Sequence, residues 1–338
     1  MKKKTGSGVR CVTLPAGTFY NGDCISGAAW YMRNDSVDLI ITDPPYGING
    51  DTLHKHYNRN EKFVIDGYVE VPQEDYGDFS RKWIREAERV LKPGGSIYII
   101  SGYTNLYHIL AALRMTNLTE VNHIIWKYPF GVFTRRKFVS SHYHILFYEK
   151  PGGRRTINHE SRNGLNEKND EGRSLNNTDR EDVWQINREY KPGQVKNKNE
   201  LPPELLTRMI QYSSNEGELV CDFFLGGFST ARVAIGLNRR ATGFEISTAI
   251  FDTRIKEIEA LEPGSLIPAV REPEIQPKKN QRKTWTEKDI RYLTREFRKR
   301  QERGERKKAI IAALGDALGR GHWAIEKALK KTANNGEQ

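Results

Sequence analysis

The apolar run Val37-Asp38-Leu39-Ile40-Ile41 stops at Thr42 and is followed at once by Asp43-Pro44-Pro45-Tyr46. Neither proline can donate to a β-ladder and each fixes its own φ, so a strand over 37–41 must end there and give way to a stiff loop. In open α/β sheets that position, beyond the carboxyl end of a buried strand, is where ligands bind. The tetrapeptide places a carboxylate, fixed carbonyl acceptors and a flat aromatic ring in one spot, a set suited to gripping a planar ring through its exocyclic amine. Taken alone, the same four residues could serve only as a rigid turn.

Strand-like and helix-like spacing alternate along the rest of the chain. After 37–41 comes a helix over Phe79–Leu91 that stops at Lys92-Pro93-Gly94-Gly95, then a strand over Ser96–Ile100, a helix over Asn105–Arg114, and strands over Val121–Trp126 and Tyr143–Tyr148. A second block runs helix Pro203–Tyr212, strand Glu218–Asp222, helix Ser229–Leu237, strand Ala241–Glu245 and helix Thr248–Leu261. Such alternation predicts an α/β fold, a wound and largely parallel sheet covered by helices. The stretch between Tyr46 and Tyr76 reads as a loop over the ligand or an ordinary surface loop. Residues from about 151 to 199 are poor in aliphatics and predict a surface excursion rather than core.

Composition narrows the setting. The 338 residues are 37% hydrophobic and 29% charged, enough for one sizeable α/β domain plus an appendage. There is no apolar run of membrane-spanning length, and Met1-Lys2-Lys3-Lys4-Thr5 lacks the apolar segment of a signal peptide, so a soluble, intracellular protein is expected, with no membrane partner. Cys11, Cys24 and Cys221 have no metal-ligand spacing and read as small hydrophobes, with no metal site. The net charge of +11 is concentrated: Lys278 to Lys308 holds 14 Lys or Arg against 5 Asp or Glu. A polyanionic partner is expected.

The segment Leu219 through Thr230 reads as a hydrophobic strand, a turn at Gly226-Gly227, and the start of a helix. Glycines there let backbone approach a ligand, and the helix start supplies free N–H groups. About twenty residues on, a strand ends at Glu245, the place from which an acid reaches ribose hydroxyls in nucleotide-binding βαβ units. No Lys-Ser or Lys-Thr follows the glycines, which excludes a phosphate loop, and the three-glycine dinucleotide fingerprint is incomplete.

Together these stretches resemble the S-adenosylmethionine-dependent amino-methyltransferases of DNA, in the β-type order where the catalytic tetrapeptide precedes the cofactor loop. The resemblance covers Thr18 to about Leu261 and rests on Asn21-Gly22-Asp23-Cys24, Ser36 through Ile48, Leu91-Lys92-Pro93-Gly94-Gly95, Ile125-Trp126-Lys127, and Asp222 through Glu245-Ile246-Ser247. It implies a Rossmann-like methyltransferase sheet, circularly permuted, over residues 11–262. S-adenosyl-L-methionine is the implied cofactor, with Asp23, Cys24, Asp43, Asp222, Phe224, Gly226, Gly227, Ser229, Thr230, Glu245, Ile246 and Ser247 as its contacts. Two departures stand out: Phe223 and Phe228 replace a proline and a glycine of the family's loop, and Glu200-Leu201-Pro202 replaces the usual Gln-Lys-Pro.

The resemblance also implies a reaction. Asp43 and the Pro44 carbonyl would accept the two N–H bonds of a base amine, Pro45 would stiffen the turn, and Tyr46 would stack on a base flipped out of the duplex. Asp at the first motif position favours adenine N6. Cytosine N4, an RNA or protein amide, and a DNA-binding regulator on an inactive methyltransferase fold are the alternatives. Double-stranded DNA is the implied partner, with a homodimer and a restriction endonuclease as further candidates and the cytoplasm, at a bacterial or phage-infected nucleoid, as the setting. The 127–199 region is the expected seat of target recognition, with Lys127, Arg135, Arg136 and Lys137 suited to phosphates.

Four prolines between 263 and 283 predict an extended linker. Beyond it, residues 284–331 show three short helices with spaced tryptophans, Trp285 and Trp323, and resemble a Myb-like or other helix-turn-helix module. Trp323, Ile325 and Leu329 form the expected apolar set of its last helix. Arg320, His322, Lys327, Lys330 and Lys331 are then candidates for the major groove, against a plain three-helix dimerisation appendage.

Overall fold

The apolar run at 37–42 lies at the centre of a nine-stranded sheet in the computed structural model, which describes residues 8–45, 71–129, 135–136, 138–188, 200–273, 280 and 283–334. The chain divides into two units, Met1–Pro273 and Glu274–Gln338. In the first, the elements are β1 (Arg10–Leu14), β2 (Gly17–Asn21), α1 (Cys24–Tyr31), β3 (Val37–Thr42), α2 (Tyr76–Val90), β4 (Leu91–Ser101), α3 (Leu106–Leu113), β5 (Thr119–Lys127) and β6 (His142–Glu149). They continue with α4 (Leu175–Asp179), β7 (Val183–Gln185), α5 (Pro203–Ser213), β8 (Leu219–Asp222), α6 (Ser229–Gly236), β9 (Arg240–Glu245) and α7 (Thr248–Glu259).

Strand order is β1-β2-β9-β8-β3-β4-β6-β5-β7, so the late strands β8 and β9 insert between the early strands β2 and β3. The run β2, β9, β8, β3, β4 is parallel throughout, which brings the carboxyl ends of β9, β8 and β3 side by side. Alternation in β3 sends Leu39 and Ile41 to one face and Ile40 to the other. The first face is covered by α5, α6 and α7 through Leu205, Leu206, Val233 and Phe251; the second by α1, α2 and α3 through Ala28, Trp83, Ile84 and Ile109. Helix α2 forms because Tyr76, Ser80, Trp83, Ile84, Ala87 and Val90 fall on one stripe and are buried.

Several expectations are revised. Lys92-Pro93-Gly94-Gly95 does not merely end a helix but belongs to β4, whose pairing with β3 shifts register between Val37 and Leu39. The β1–β2 hairpin and α1 are too short and too weakly patterned to announce themselves; the hairpin forms one edge of the sheet and α1 joins α2 on a face. Residues 151–188 are more than a surface excursion. Val183–Gln185 adds a strand to β5, Trp184 and Ile186 are buried, and Asp179 accepts hydrogen bonds from Arg162, Arg208 and Tyr212. Asn158 likewise donates to the carbonyls of Gln211 and Ser214. Most of the segment is exposed or half-buried, as its composition implies; what composition does not show is that its polar side chains satisfy one another and that Trp184 and Ile186 reach the core.

The first part of the expected linker is also bound to the sheet unit. Gly264 N and Leu266 N donate to the carbonyls of Ile235 and Gly236, Leu266 and Val270 pack on the core, and Arg271 pairs with Glu167 at 2.8 Å.

The second unit contains α8 (Glu287–Glu302), α9 (Lys307–Leu318) and α10 (His322–Asn334) around Leu293, Ile310, Ile311, Leu314 and Ile325. Thr286 and Asp289 form a reciprocal capping box at the start of α8, and Gly319, with φ +60°, ends α9 in the left-handed region. Arg320 requires correction as a DNA-contact candidate. Its guanidinium is buried, donates to the carbonyls of Lys283 (2.7 Å) and Thr284 (3.0 Å) and to Asp289 (3.2 Å), and lies 4.2 Å over the Trp285 ring. It ties the entry of α8 to the α9–α10 turn. Trp323, expected with the apolar residues of α10, is instead 81% exposed.

Candidate active site

Three carboxylates stand at the carboxyl ends of three neighbouring parallel strands: Glu245 closes β9, Asp222 closes β8, and Asp43 follows β3 by one residue. Neighbouring strands lie about 5 Å apart, so the three acids form a row across the carboxyl ends of the central strands. Asp222 is buried. Its Oδ1 accepts from Thr42 Oγ1 at 2.8 Å and from the Phe224 amide at 3.0 Å, and Thr230 supplies a further side-chain hydrogen bond. Burial pushes its pKa up to about 6 despite those donors. Glu245 is similarly buried and pushed up to about 7, first by desolvation, with the Ser247, Gly226 and Ile246 amides pulling down and the Asp222 charge pushing up. Its Oε1 accepts from Ser247 N at 2.7 Å, while Ser247 Oγ caps α7 by accepting from Ile250 N. Next to it Ile246 is 52% exposed, an apolar surface beside the acid.

The turn after β8 needs its glycines. Gly226 has φ +48°, and a Cβ on Gly227 would stand 2.4 Å from Glu200 Oε1. Glu200 is held over the turn by Arg232 (3.1 Å) and Arg254 (3.2 Å). Phe228 takes the left-handed conformation, φ +59°, that a glycine would adopt without strain, and buries its ring between Phe19 and Phe251. Both hydroxyls at the start of α6 are engaged internally, Thr230 with Asp222 and Ser229 Oγ accepting from Arg232 at 3.3 Å. The Thr230 hydroxyl is thereby taken up by Asp222, whereas Ser229, which accepts from Arg232, keeps its own O–H to donate.

The tetrapeptide is braced from below. Tyr76 of α2 is fully buried and its hydroxyl donates to the Pro45 carbonyl at 2.7 Å. Tyr46 lies outside the described residues, as do most of the loop that follows it and Lys137. Asp23 is the N-cap of α1, accepting from the Ser26 amide and hydroxyl, both at 2.8 Å. The Cys24 thiol is buried in the core with its pKa pushed well up, and Phe224 packs on Phe79 and Trp83, so both side chains serve packing. All three cysteines are free thiols.

Sequence reasoning overlooked Thr42, Tyr76 and Glu200 as contributors, and an aromatic group on β5 and β6. Tyr143 of β6 stacks on Trp126 (5.4 Å, 27° between planes), and burial together with the Asp43 charge raises its hydroxyl pKa against the pull of Arg188. Nothing in a single sequence marks such residues before the sheet assembles them; only Thr42 had a signal, its place next to Asp43. Lys127, at the end of β5, and Arg135 and Arg136 are exposed, and Phe138 beside them is 98% exposed. His322 faces Glu326 at 3.7 Å, and Lys327, Lys330 and Lys331 are exposed on α10.

Among the described residues no group of acids, histidines and cysteines could hold a metal ion, and no helix is long and apolar enough to cross a membrane.

A family model described as DNA methylase, of the N6 and N4 amino-methyltransferases, matches residues 37–257. Among curated proteins, the type II methyltransferase M.HinfI of Haemophilus influenzae is 27% identical over 336 residues, covering 94% of this chain and 90% of that protein. M.HpaI of Haemophilus parainfluenzae is 32% identical over 228 residues, covering 64% of this chain and 66% of its own length. Two solved structures share the fold. A DNA modification methylase described as putative, from Thermus thermophilus and in complex with S-adenosyl-L-methionine, has a TM-score of 0.51 at 23% identity and covers 78% of this chain and 98% of that one. The cytosine-N4-specific PvuII DNA methyltransferase has a TM-score of 0.52 at 14% identity, covering 77% and 95%.

Proposed function

Because this chain belongs to the DNA methylase family, whose members methylate exocyclic amines of DNA bases with S-adenosylmethionine, we propose that it methylates N6 of a flipped adenine within a specific duplex sequence. The observation that carries the reading is the row of acids at the ends of β3, β8 and β9. Two of them, Asp222 and Glu245, are buried beside the turn at Gly226-Gly227, a set that fits a nucleoside with hydroxyls to donate. Glu245 would hold the ribose hydroxyls and Ile246 would cover the adenine ring. Gly226 and Gly227 would admit the methionine portion, and Asp222 would hold the turn in shape through Thr42, Phe224 and Thr230.

When bound, the cofactor supplies an already activated sulfonium methyl group. What remains for the protein is to make a poor nucleophile better, since the base amine's lone pair is delocalised into its ring. Asp43 and the Pro44 carbonyl accept the two N–H bonds and localise that pair along the line of attack. Pro45 is kept in place by Tyr76, and Tyr46 stacks on the ring. Positioning and fixed electrostatics then carry the step. Asp at the first motif position favours adenine over cytosine. Target recognition belongs to the 127–199 region, with Lys127, Arg135 and Arg136 on phosphates. A type II restriction–modification setting, with an endonuclease of the same specificity, follows the named relatives M.HinfI and M.HpaI.

Asp43→Ala should retain S-adenosylmethionine binding within about threefold and lose at least about 100-fold in transfer of labelled methyl groups to DNA, a loss typical of removing positioned polar groups at a reacting centre. Unchanged transfer would overturn the assignment. Sequencing modified bases in DNA from cells expressing the chain reads base and motif together; N4-methylcytosine there would replace the adenine reading.

A further inference from the structure

Near the strand end that leads into Asp43, one face of the sheet carries an occupied aromatic seat. Ile41 of β3 shares that face with Tyr98, Trp126, Tyr128 and Tyr143 of β4, β5 and β6 and the residue after β5, and Asp43 follows two residues on. Tyr143 rests on Trp126 behind it, and Trp126 is itself fixed by donating Nε1–H to the Ile186 carbonyl at 2.8 Å. The same stretch of chain, running along β5 as β7, then delivers Arg188 onto the front of the pair. Its Cζ lies 4.4 Å from the centre of the Tyr128 ring and 4.9 Å from that of Tyr143, and it donates to the Tyr143 hydroxyl.

A guanidinium and a nucleobase are both flat, both rimmed with N–H donors and both stack on aromatic faces. A base held by Asp43 through its amine, with Tyr46 on one face, has a second face to cover, and Tyr143 stands two strands from β3 on the side of the sheet that Ile41 shares. We propose that Arg188 is a stand-in for the target base: in the DNA-free protein it covers the face of Tyr143 that the extrahelical ring takes, and it must swing off for the base to be seated. The proposal rests on the reading that the chain methylates a flipped base. It makes Arg188 a positioning residue that keeps a greasy, water-facing platform covered until DNA arrives, and it makes Tyr143 a wall of the base pocket.

The test is duplex binding with S-adenosylhomocysteine present, so that no transfer occurs, on the target sequence mapped as above. Two duplexes are compared, one intact and one abasic at the target position. Leaving the tyrosines loses Arg188 a cation–π contact, so Arg188→Ala should bind the intact duplex about 3- to 10-fold more tightly than wild type. On the abasic duplex, where no ring needs the seat, the two proteins should bind within about twofold. Arg188→Lys, which keeps a cation but not a planar one, should show a smaller gain on the intact duplex only, and decides the matter if the alanine variant fails to fold. Equal weakening on both duplexes would mean that Arg188 is a phosphate anchor, and no difference on either would mean that it is a prop; both overturn the proposal. Wild-type protein that transfers no methyl group to any DNA removes the methyltransferase reading itself, whereas active wild type with no base-dependent gain removes only the role of Arg188.

Discussion

Glu245 and Asp222 sit at the carboxyl ends of interior strands, where burial works against their charge, and that conflict has a pH signature. Both folded pKa values lie above those of unfolded chains, at about 7 and about 6. The native state therefore holds more protons than the unfolded state between roughly pH 4 and 7, so stability without ligand should fall as pH rises through that window, by roughly 3 to 6 kcal/mol. Cofactor binding should move the other way. A carboxylate that accepts ribose hydroxyls must be ionised, so S-adenosylmethionine affinity should rise from about pH 5.5 to 7.5 and then level off. Glu245→Gln should remove most of the pH dependence and weaken binding at about pH 8 by about tenfold, the worth of a hydrogen bond to a charged group. Calorimetric titration across that range, with thermal unfolding of the unliganded protein alongside, checks both slopes; affinity independent of pH would place the ribose elsewhere.

At the scale of an element, the turn between β8 and α6 shows how a departure from a family pattern can be absorbed. Phe228 stands at φ +59°, ψ +23°, which costs a residue with a Cβ about 1 to 2 kcal/mol, yet its ring fills the space between Phe19 and Phe251. Ring burial is worth about 3 to 5 kcal/mol, so packing wins. Phe228→Ala should lose that burial and keep the strain, while Phe228→Gly loses the burial and relieves it. The glycine variant should therefore be the more stable of the two by about 1 kcal/mol, a reversal of the usual order. Denaturant unfolding measures the difference, and alanine at least as stable as glycine would contradict the account. This turn also marks what the sequence could and could not disclose. Strands such as 37–42 and 240–245 and helices such as 203–213 announce themselves by period and by their stops. The acids that follow strands are likewise legible, because a strand end next to a turn is a local pattern. Glu200 over Gly227, Tyr76 on Pro45 and the Tyr143–Arg188 pair are set by which strands become neighbours, and β8 reaches β3 only after a long stretch of intervening chain. The anchoring of the largely exposed polar segment 151–188 was hidden for a related reason, since hydrogen-bond satisfaction is not visible in composition.

For the whole molecule, charge is distributed unevenly between two units that each possess their own core. Residues 274–338 carry 18 Lys or Arg against 9 Asp or Glu, which accounts for +9 of the chain's +11. With Arg320 taken up by internal bonds, the exposed cations among the described residues include Lys288, Arg291, Arg295, Arg298 and Lys299 on α8, Lys307 and Lys308 on α9, and Lys327, Lys330 and Lys331 on α10, with His322 and the exposed Trp323 at the start of α10. If this unit grips DNA, each phosphate it neutralises adds about 0.9 to the slope of log affinity against log salt concentration. Removing residues 274–338 should then flatten that slope by at least about 2 and raise the KM for DNA about 10-fold or more at about 0.15 M salt. The turnover number should stay within about threefold, because the three acids and both sheet cores remain. The gap between full-length and shortened protein should close as salt is raised, because counterion release is the quantity lost. Binding titrations at four or five salt concentrations separate this from the dimerisation alternative, in which the slope stays the same and the shortened chain sediments at half the mass of the full-length protein.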